Sequence, residues 1–541
     1  MRVTALRRDF LKLAASGLAG SGAAALLTPR AHGQAGMASR AMGFPGHFDV
    51  KSFGARGDGF SNDTAAINKA IDAAAAAGGG TVFFPAGTYG SYSIHLKSFV
   101  ALYLDMGATI LALPTPLTGA GSGYYDPAEP QGAWEPYQDY GHNHWHNSLL
   151  WGEGIHDVAI LGPGRIYGKG LSRGHDDDKD LPRSNLPGVA NKAIALKNCH
   201  NVILRDFSIL QGGWFGILAT GVDNLTIDNL KIDTNRDGMD IDCCRNVRVS
   251  NCSVNSPWDD GICPKSSFAL GYARATENLT ITNCYVTGGY ELGTMLDGTF
   301  RRFPPDFHYY STGRIKLGTE SNGGFKNVTI SNCVFESCRG FALEGVDGAI
   351  CEDITFTGIT MRDIRNSPLF LRLGMRMRGP AGVPVGTMKR ILISNITCSG
   401  AVPDLPSIIS GVPGHLIEDI KLSSIYVQQE GGGTSEIAAL MPPEKVDGYP
   451  EPGNFGKLPA TGFFLRHIRN LEMSNVQVAT VKPDARPAFW LDDVEGADFS
   501  GVKIPVASAR AFRLESARDF RVSGSRGVRD LSIAEASKRD I

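Results

Sequence analysis

Three aspartates, Asp237, Asp259 and Asp260, have the spacing needed to share protons across adjacent turns of a repeating chain. Asp237 follows Asn224 at the same interval at which Asp259 follows Asn246. If the stretch from Asn224 to Asn246 is one coil, the two aspartates occupy equivalent positions on neighbouring coils. Their backbones would then stand about 4.8 Å apart, with Asp260 beside them. Carboxylates this close cannot all ionise freely, and at least one pKa should rise. A carboxyl that keeps its proton beside ionised partners suits glycosidic bond hydrolysis, which needs an acid for the leaving oxygen and a base for water. Acidic residues also decorate solenoid turns or bind calcium there. Calcium would require more converging oxygen ligands than these three supply, so neither a metal nor a cofactor is expected.

Such positioning requires a stack of coils, and the sequence repeats accordingly. A short alternating apolar phrase introduced by Asn or Asp recurs at Asp157, Asn201, Asn224, Asn246, Asn278, Asn327, Asp353, Asp419 and Asn470. Each phrase, such as Asn224-Leu225-Thr226-Ile227, reads as a strand of period two. The intervals are tightest from Asn201 to Asn224 and from Asn224 to Asn246; longer ones imply loops inserted into otherwise similar coils. Units that cannot bury their own inner face must stack, and asparagines at repeated turn positions can hydrogen-bond along the stack. The predicted fold is all-β, a single-stranded right-handed parallel β-helix over residues 45–530. A short capping helix falls within residues 48–90. A helical run from Ala65 to Ala77 follows Asp63 and Thr64, either of which would cap it, and Gly78 would end it. An amphipathic helix laid over the open end of a solenoid covers its exposed edge. The ten cysteines all fall between Cys199 and Cys398, several directly after an asparagine, as at Cys252 and Cys284, and without zinc spacing. They read as mostly free thiols stacked in the core.

The whole chain of 541 residues is 42% hydrophobic, 20% charged and carries a net charge of -2. This composition supports a large core and gives no electrostatic case for nucleic acid or a membrane surface. No segment reaches the roughly 20 continuous apolar residues of a membrane span. Residues 1–35 stand apart: Arg7-Arg8-Asp9-Phe10-Leu11-Lys12 precedes an Ala/Gly/Leu-rich run, and Gly33-Gln34-Ala35 offers a cleavage site. Paired arginines followed by Phe-Leu-Lys are similar to a twin-arginine export signal, so a periplasmic or secreted protein is expected.

The segment from Phe48 to Tyr89 resembles the N-terminal cap of the pectin-degrading β-helix superfamily. More narrowly, Asn235-Arg236-Asp237-Gly238-Met239-Asp240 and Trp258-Asp259-Asp260-Gly261-Ile262-Cys263-Pro264-Lys265-Ser266 resemble the paired signatures of glycoside hydrolase family 28. In the polygalacturonases these read Asn-Thr-Asp-Gly-Ile-Asp and Gly-Asp-Asp-Cys-Ile-Ala-Ile-Lys-Ser. With Ile315 to Gly324, which includes Glu320, the likeness spans residues 45–360. The resemblance implies an inverting glycosidase with Asp259 as general acid. Asp237 and Asp260 would activate water, with Asn235 and Lys265 in support. Carboxylate spacing alone would point to retention.

Two family features are missing. The Gly-His-Gly histidine has no counterpart, with Gly289 or Thr312 at its place, and an insertion from Gly293 to Gly313 interrupts the region; His308 on that insertion is a candidate substitute. The Arg-Ile-Lys motif that grips a galacturonate carboxylate is replaced by Ala342-Leu343-Glu344, and Glu344 would repel a uronate. Arg314 and Lys316 on one strand, Arg301 and Arg302 on the insertion, and the cluster Arg372, Arg376 and Arg378 are cations that could rebuild such a site. Aromatic residues of the insertion, Phe300, Phe303, Phe307, Tyr309 and Tyr310, could stack on sugar rings or pack the loop. The aromatic-rich stretch 123–151, with Trp134, Trp145 and Trp151, is expected to wall the groove. The leading reading is a glycosidase of a pectin-type polysaccharide or oligosaccharide, galacturonan- or rhamnogalacturonan-related and exo-acting. A polysaccharide lyase on the same fold and a non-catalytic carbohydrate-binding solenoid are the alternatives.

Overall fold

The computed structural model describes residues 46–174, 179–304, 306–307, 309–504 and 510–541; the expected leader lies outside them. Strands of successive coils pair in parallel and in register, as His200–Arg205 pairs with Asp223–Asp228 and the latter with Arg245–Ser250. The chain is a parallel β-helix, as the repeat predicts. Its inner columns are apolar at every step. Val202, Leu225, Val247, Leu279, Val328, Ile354, Ile391, Ile420 and Leu471 follow one another up the cylinder, all buried.

The asparagine before each of the first five apolar residues has a conformational task. Asn201, Asn224, Asn246, Asn278 and Asn327 take φ of 56, 55, 56, 57 and 54°, the left-handed region that asparagine tolerates better than most residues. Their side chains also join along the stack. Asn224 Nδ2 donates to Asn201 Oδ1 at 3.0 Å, Asn278 to Asn246 at 3.1 Å and Asn327 to Asn278 at 2.8 Å.

One residue before this asparagine row in each coil, the surface carries an alternating charge column. Asp223, Arg245, Glu277, Lys326, Glu352, Lys389, Glu418, Arg469, Glu495 and Arg518 stand opposite one another coil by coil. Glu535 of the terminal strand continues the alternation. Arg245 meets Glu277 at 2.8 Å, and Arg469 meets Glu418 at 2.8 Å and Glu495 at 3.3 Å.

Both ends are closed. Helix α1 (Thr64–Ala76) buries Ile67, Ala70, Ile71 and Ala74, the one-face spacing of an amphipathic helix. Asp63 precedes it but does not cap it by its side chain: the carboxylate instead accepts from the amides of Arg56 at 2.8 Å and Gly57 at 3.0 Å. At the far end Leu531–Asp540 turns antiparallel onto Phe512–Ser523. All ten cysteines are buried with free thiols.

A second wall of the cylinder carries the three aspartates. It is a six-stranded parallel sheet of β1 (Ile94–His95), β2 (Leu150–Glu153), β3 (Lys192–Lys197), β4 (Phe215–Thr220), β5 (Asp237–Asp242) and β6 (Ile262–Lys265). β7 (Lys316–Leu317), β8 (Phe341–Gly345) and β9 (Leu369–Leu373) continue the stack. Two covers lie on its outer face. The stretch 123–151 places Trp145 on Ala195, Trp214, Phe215 and Leu218. Further along, Phe455, Leu458 and Ala460 pack on Ala342, Phe370, Ile408, Phe464 and Trp490. Between these apolar covers the outward residues turn polar.

If the charge column fixes coil register, Arg469→Glu, which sets three acids on neighbouring coils, lowers the urea midpoint at low ionic strength. Screening by about 0.5 M salt should recover most of that loss; a loss insensitive to salt would show that the column acts through packing alone.

Candidate active site

β5 begins at Asp237, with Met239 and Ile241 pointing into the core and Asp240 and Asp242 on the outer face. The register differs from the sequence expectation in one respect. Asp233 pairs with Asn255, but Met239 pairs with Ile262, so the turn between them gains one residue. Asp237 therefore stacks on Asp260, not on Asp259, and Gly238 N donates to Asp260 O at 2.9 Å. Asp259 sits one step earlier, in the turn, where its Oδ1 accepts from Asp260 N at 3.0 Å. All three aspartates share one wall, and Asp237 and Asp260 bring oxygens within 4.8 Å of each other.

Their surroundings set three different protonation tendencies. Asp237 is buried; burial, then the negative charges of Asp259 and Asp240, push its pKa well above the usual carboxylate range, and Lys265 and Arg236 offset this only partly. Asp260 is buried as well, which alone would raise its pKa, but two cations from the next coil reverse the sign. Arg314 Nε lies 2.9 Å from Oδ1 and Lys316 Nζ pairs with Oδ2, and with Lys265 they hold Asp260 ionised. Asp259 is the most open of the three, its side chain 27% exposed. Its desolvation is outweighed by Arg236, which donates from Nη2 at 2.9 Å and Nε at 3.3 Å, and by Lys316. The Arg236 guanidinium is itself set by the Trp214 ring, 4.7 Å beneath it. One proton-holding carboxyl thus stands among two ionised ones.

The supporting residues expected from the sequence are drawn together, but mostly to bind one another. Lys265 is buried and meets Glu320 at 3.0 Å and Asp240 at 3.8 Å. Glu320 is correspondingly held far below its ordinary pKa, mainly by Lys265 against the cost of burial. Glu344 is fully buried, accepts from Thr319 Oγ1 at 2.8 Å and has its pKa raised by desolvation. Asn235 is buried at the turn and accepts from Trp258 N at 3.2 Å through its carbonyl. His308 lies outside the described residues. Arg372 is no substrate cation: it donates to Ser410, Gly411, Glu444 and Lys445 and pins the second cover to the sheet. The other candidate cations are likewise paired, Arg301 with Glu291, Arg302 with Glu336, Arg376 with Asp347 and Arg378 with Asp139.

His142 is a site residue that sequence reasoning misses. It descends from the stretch 123–151 and meets Asp240 at 3.0 Å, next to Phe215. A lone histidine far from the signature carries no spacing signal, and only the loop's path brings it in. Tyr449, from the second cover, accepts from Thr319 at 3.0 Å. Asp237, Asp260 and Cys263 also present three donor atoms within 4.8 Å. With Asp237 protonated and Asp260 neutralised by two cations, that trio is a weak cation site.

The fold is that of a right-handed parallel β-helix. Residues 47–125 match the family described as rhamnogalacturonase A/epimerase, pectate lyase-like, and residues 168–300 match the right-handed β-helix region. Among individual proteins, a probable polygalacturonase of Vitis vinifera is 24% identical over 339 residues, covering 58% of this chain and 60% of that protein. Mannuronan C5-epimerase AlgE3 of Azotobacter vinelandii is 74% identical over 42 residues, 8% of this chain and 2% of the epimerase. The family 28 exopolygalacturonase of Yersinia enterocolitica superposes with a TM-score of 0.58 at 18% identity, covering 86% of this chain and 79% of that one. The chain thus spans less than two thirds of these two sequence relatives, and the structural likeness is one of fold.

Opposite stability effects are expected at the two stacked aspartates. Asp260→Asn strands two buried cations and should cost about 3 kcal/mol. Asp237 has a raised folded-state pKa, so it favours the fold at low pH and the benefit is lost as pH rises through that pKa. Asp237→Asn should remove this loss at rising pH. Urea titrations across pH check both, and equal destabilisation by the two variants would contradict the assigned protonation.

Proposed function

We propose that the protein hydrolyses glycosidic bonds in a pectin-type polysaccharide or oligosaccharide, acting from a chain end. One observation carries this reading: a proton-holding carboxyl and ionised carboxylates converge on a single wall of the sheet. In the proposed step, Asp237 gives its proton to the glycosidic oxygen as the bond from that oxygen to the anomeric carbon breaks. Water attacks the anomeric carbon and loses a proton to Asp260. The closeness of Asp237 and Asp260 allows the proton to return and reset the site. Asp260, with a cation on each oxygen, is a poor nucleophile, which favours direct attack by water and inversion over a covalent intermediate. The family resemblance supports inversion too, although the short carboxylate separation by itself would suggest retention.

The substrate preference follows from charge. Glu344 stands where the polygalacturonate clamp would have lysine, and Arg236, Lys265, Arg314 and Lys316 are all engaged by the protein's own acids. A uronate carboxylate at the reacting sugar would find no dedicated partner among these groups. This favours rhamnogalacturonan or a modified galacturonan over plain polygalacturonate. The two apolar covers that bound the polar strip support exo action, and the twin-arginine pattern supports export.

Incubation with pectic fractions should release reducing ends, with inverted configuration in the first-formed anomer by NMR. Asp260→Asn should lose about 10³-fold in turnover. Ultraviolet-absorbing unsaturated products would indicate a lyase instead, and early mixed oligomers would exclude exo cleavage. An aryl glycoside with a good leaving group identifies the acid, because it needs little protonation. It should rescue Asp237→Asn, whereas rescue of Asp259→Asn alone would move that role to Asp259, as the resemblance implies.

Lys316→Met should raise the pKa of Asp260 and move the acidic limb of the pH–rate profile to higher pH. An unmoved limb would exclude Asp260 as the base.

A further inference from the structure

The insertion between Gly293 and Gly313 is tied down at both ends, yet it exposes aromatic rings beside the catalytic turn. At its base Tyr290 and Arg302 form an antiparallel bridge, Arg302 pairs with Glu336, and Tyr290 donates to Glu336 at 3.0 Å. On return, Thr312 N donates to Pro257 O at 3.3 Å, and Gly313 N to Ser256 O and Asp259 O at 2.9 Å each. The loop therefore closes directly onto the turn that carries Trp258 and Asp259.

Its rings pack on one another. Phe303 and Phe307 stack with centroids 4.9 Å apart and planes 5° from parallel, and Trp258 meets them edge-on at 5.6 and 6.4 Å. Tyr309 completes the group, 4.4 Å from Phe303. Phe307, the outermost of them, remains 46% exposed. A pre-set apolar surface with an open ring, continuous with a site for polar substrates, fits a ligand that has both apolar faces and hydroxyl edges. A sugar ring has that chemistry.

We infer that Phe307, buttressed by Phe303 and Trp258, is a stacking platform for a pyranose unit of the substrate chain, beside the turn that carries Asp259. The inference rests on the proposed hydrolytic reading, since a saccharide chain must thread past Asp259 to reach the platform. Exposed aromatic rings take sugar units through their C–H faces without regard to charge. The platform therefore binds a unit whether or not that unit is a uronate.

The test uses oligosaccharides of increasing length prepared from rhamnogalacturonan and from homogalacturonan. With wild type, KM should fall as chains grow long enough to reach the platform. Phe307→Ala should raise KM for the long chains about tenfold and flatten the length dependence, and Phe307→Trp should restore it. A length dependence unchanged in Phe307→Ala would overturn the inference, with matched melting curves showing that the loop still folds. If wild type turns over none of the oligosaccharides, the hydrolytic reading fails first. The platform is then judged by calorimetric affinity for the same series: a tenfold loss in Phe307→Ala upholds it, and equal affinities refute it.

Discussion

Coil-on-coil register is the constraint on which everything else here depends. In a parallel stack each residue has a fixed neighbour about 4.8 Å above and below it, so a side chain's chemical environment is written by residues one coil away rather than by its sequence neighbours. Asp260 shows this most clearly. Nothing adjacent to it in sequence keeps it ionised; Arg314 and Lys316 do, from the coil above. Asp237, one coil below, has no such cation at contact distance among the described residues and faces acids, so the same side chain has its pKa pushed in the opposite direction. Stacking by itself gives two identical side chains opposite protonation tendencies.

Much of this is legible in the sequence because the repeat is legible. Asn201, Asn224 and Asn246 mark coil starts by residue type alone, since the left-handed turn selects asparagine. The apolar alternation after them then fixes which side chains face inward. The aspartates come from the same arithmetic. It fails by one residue, because a spacing counted from asparagine to aspartate cannot see where within the coil a residue has been gained. The gain falls in the turn before Asp260, where no strand pattern constrains chain length.

What stays hidden depends on loops. His142 and Tyr449 reach the sheet from covers whose paths have no periodicity. Arg372 looks like a groove cation only because its partners, the carbonyls of Glu444 and Lys445, belong to a distant segment. Arg314 and Lys316 group as a strand pair on sequence alone, but their destination does not follow from it. Side chains facing a groove and side chains facing a carboxylate within that groove look alike in sequence. Asp63 teaches the same lesson at the cap, where a residue of ideal capping type spends its carboxylate on the amides of Arg56 and Gly57.

The alternating charge column has a consequence for how such a cylinder can change length. Adding or deleting a single coil anywhere between Asp223 and Arg518 would bring two like charges face to face, whereas adding or deleting two would leave every contact of opposite sign. The surface thereby imposes a parity rule on duplication, and this part of the molecule can grow or shrink smoothly only in pairs of turns.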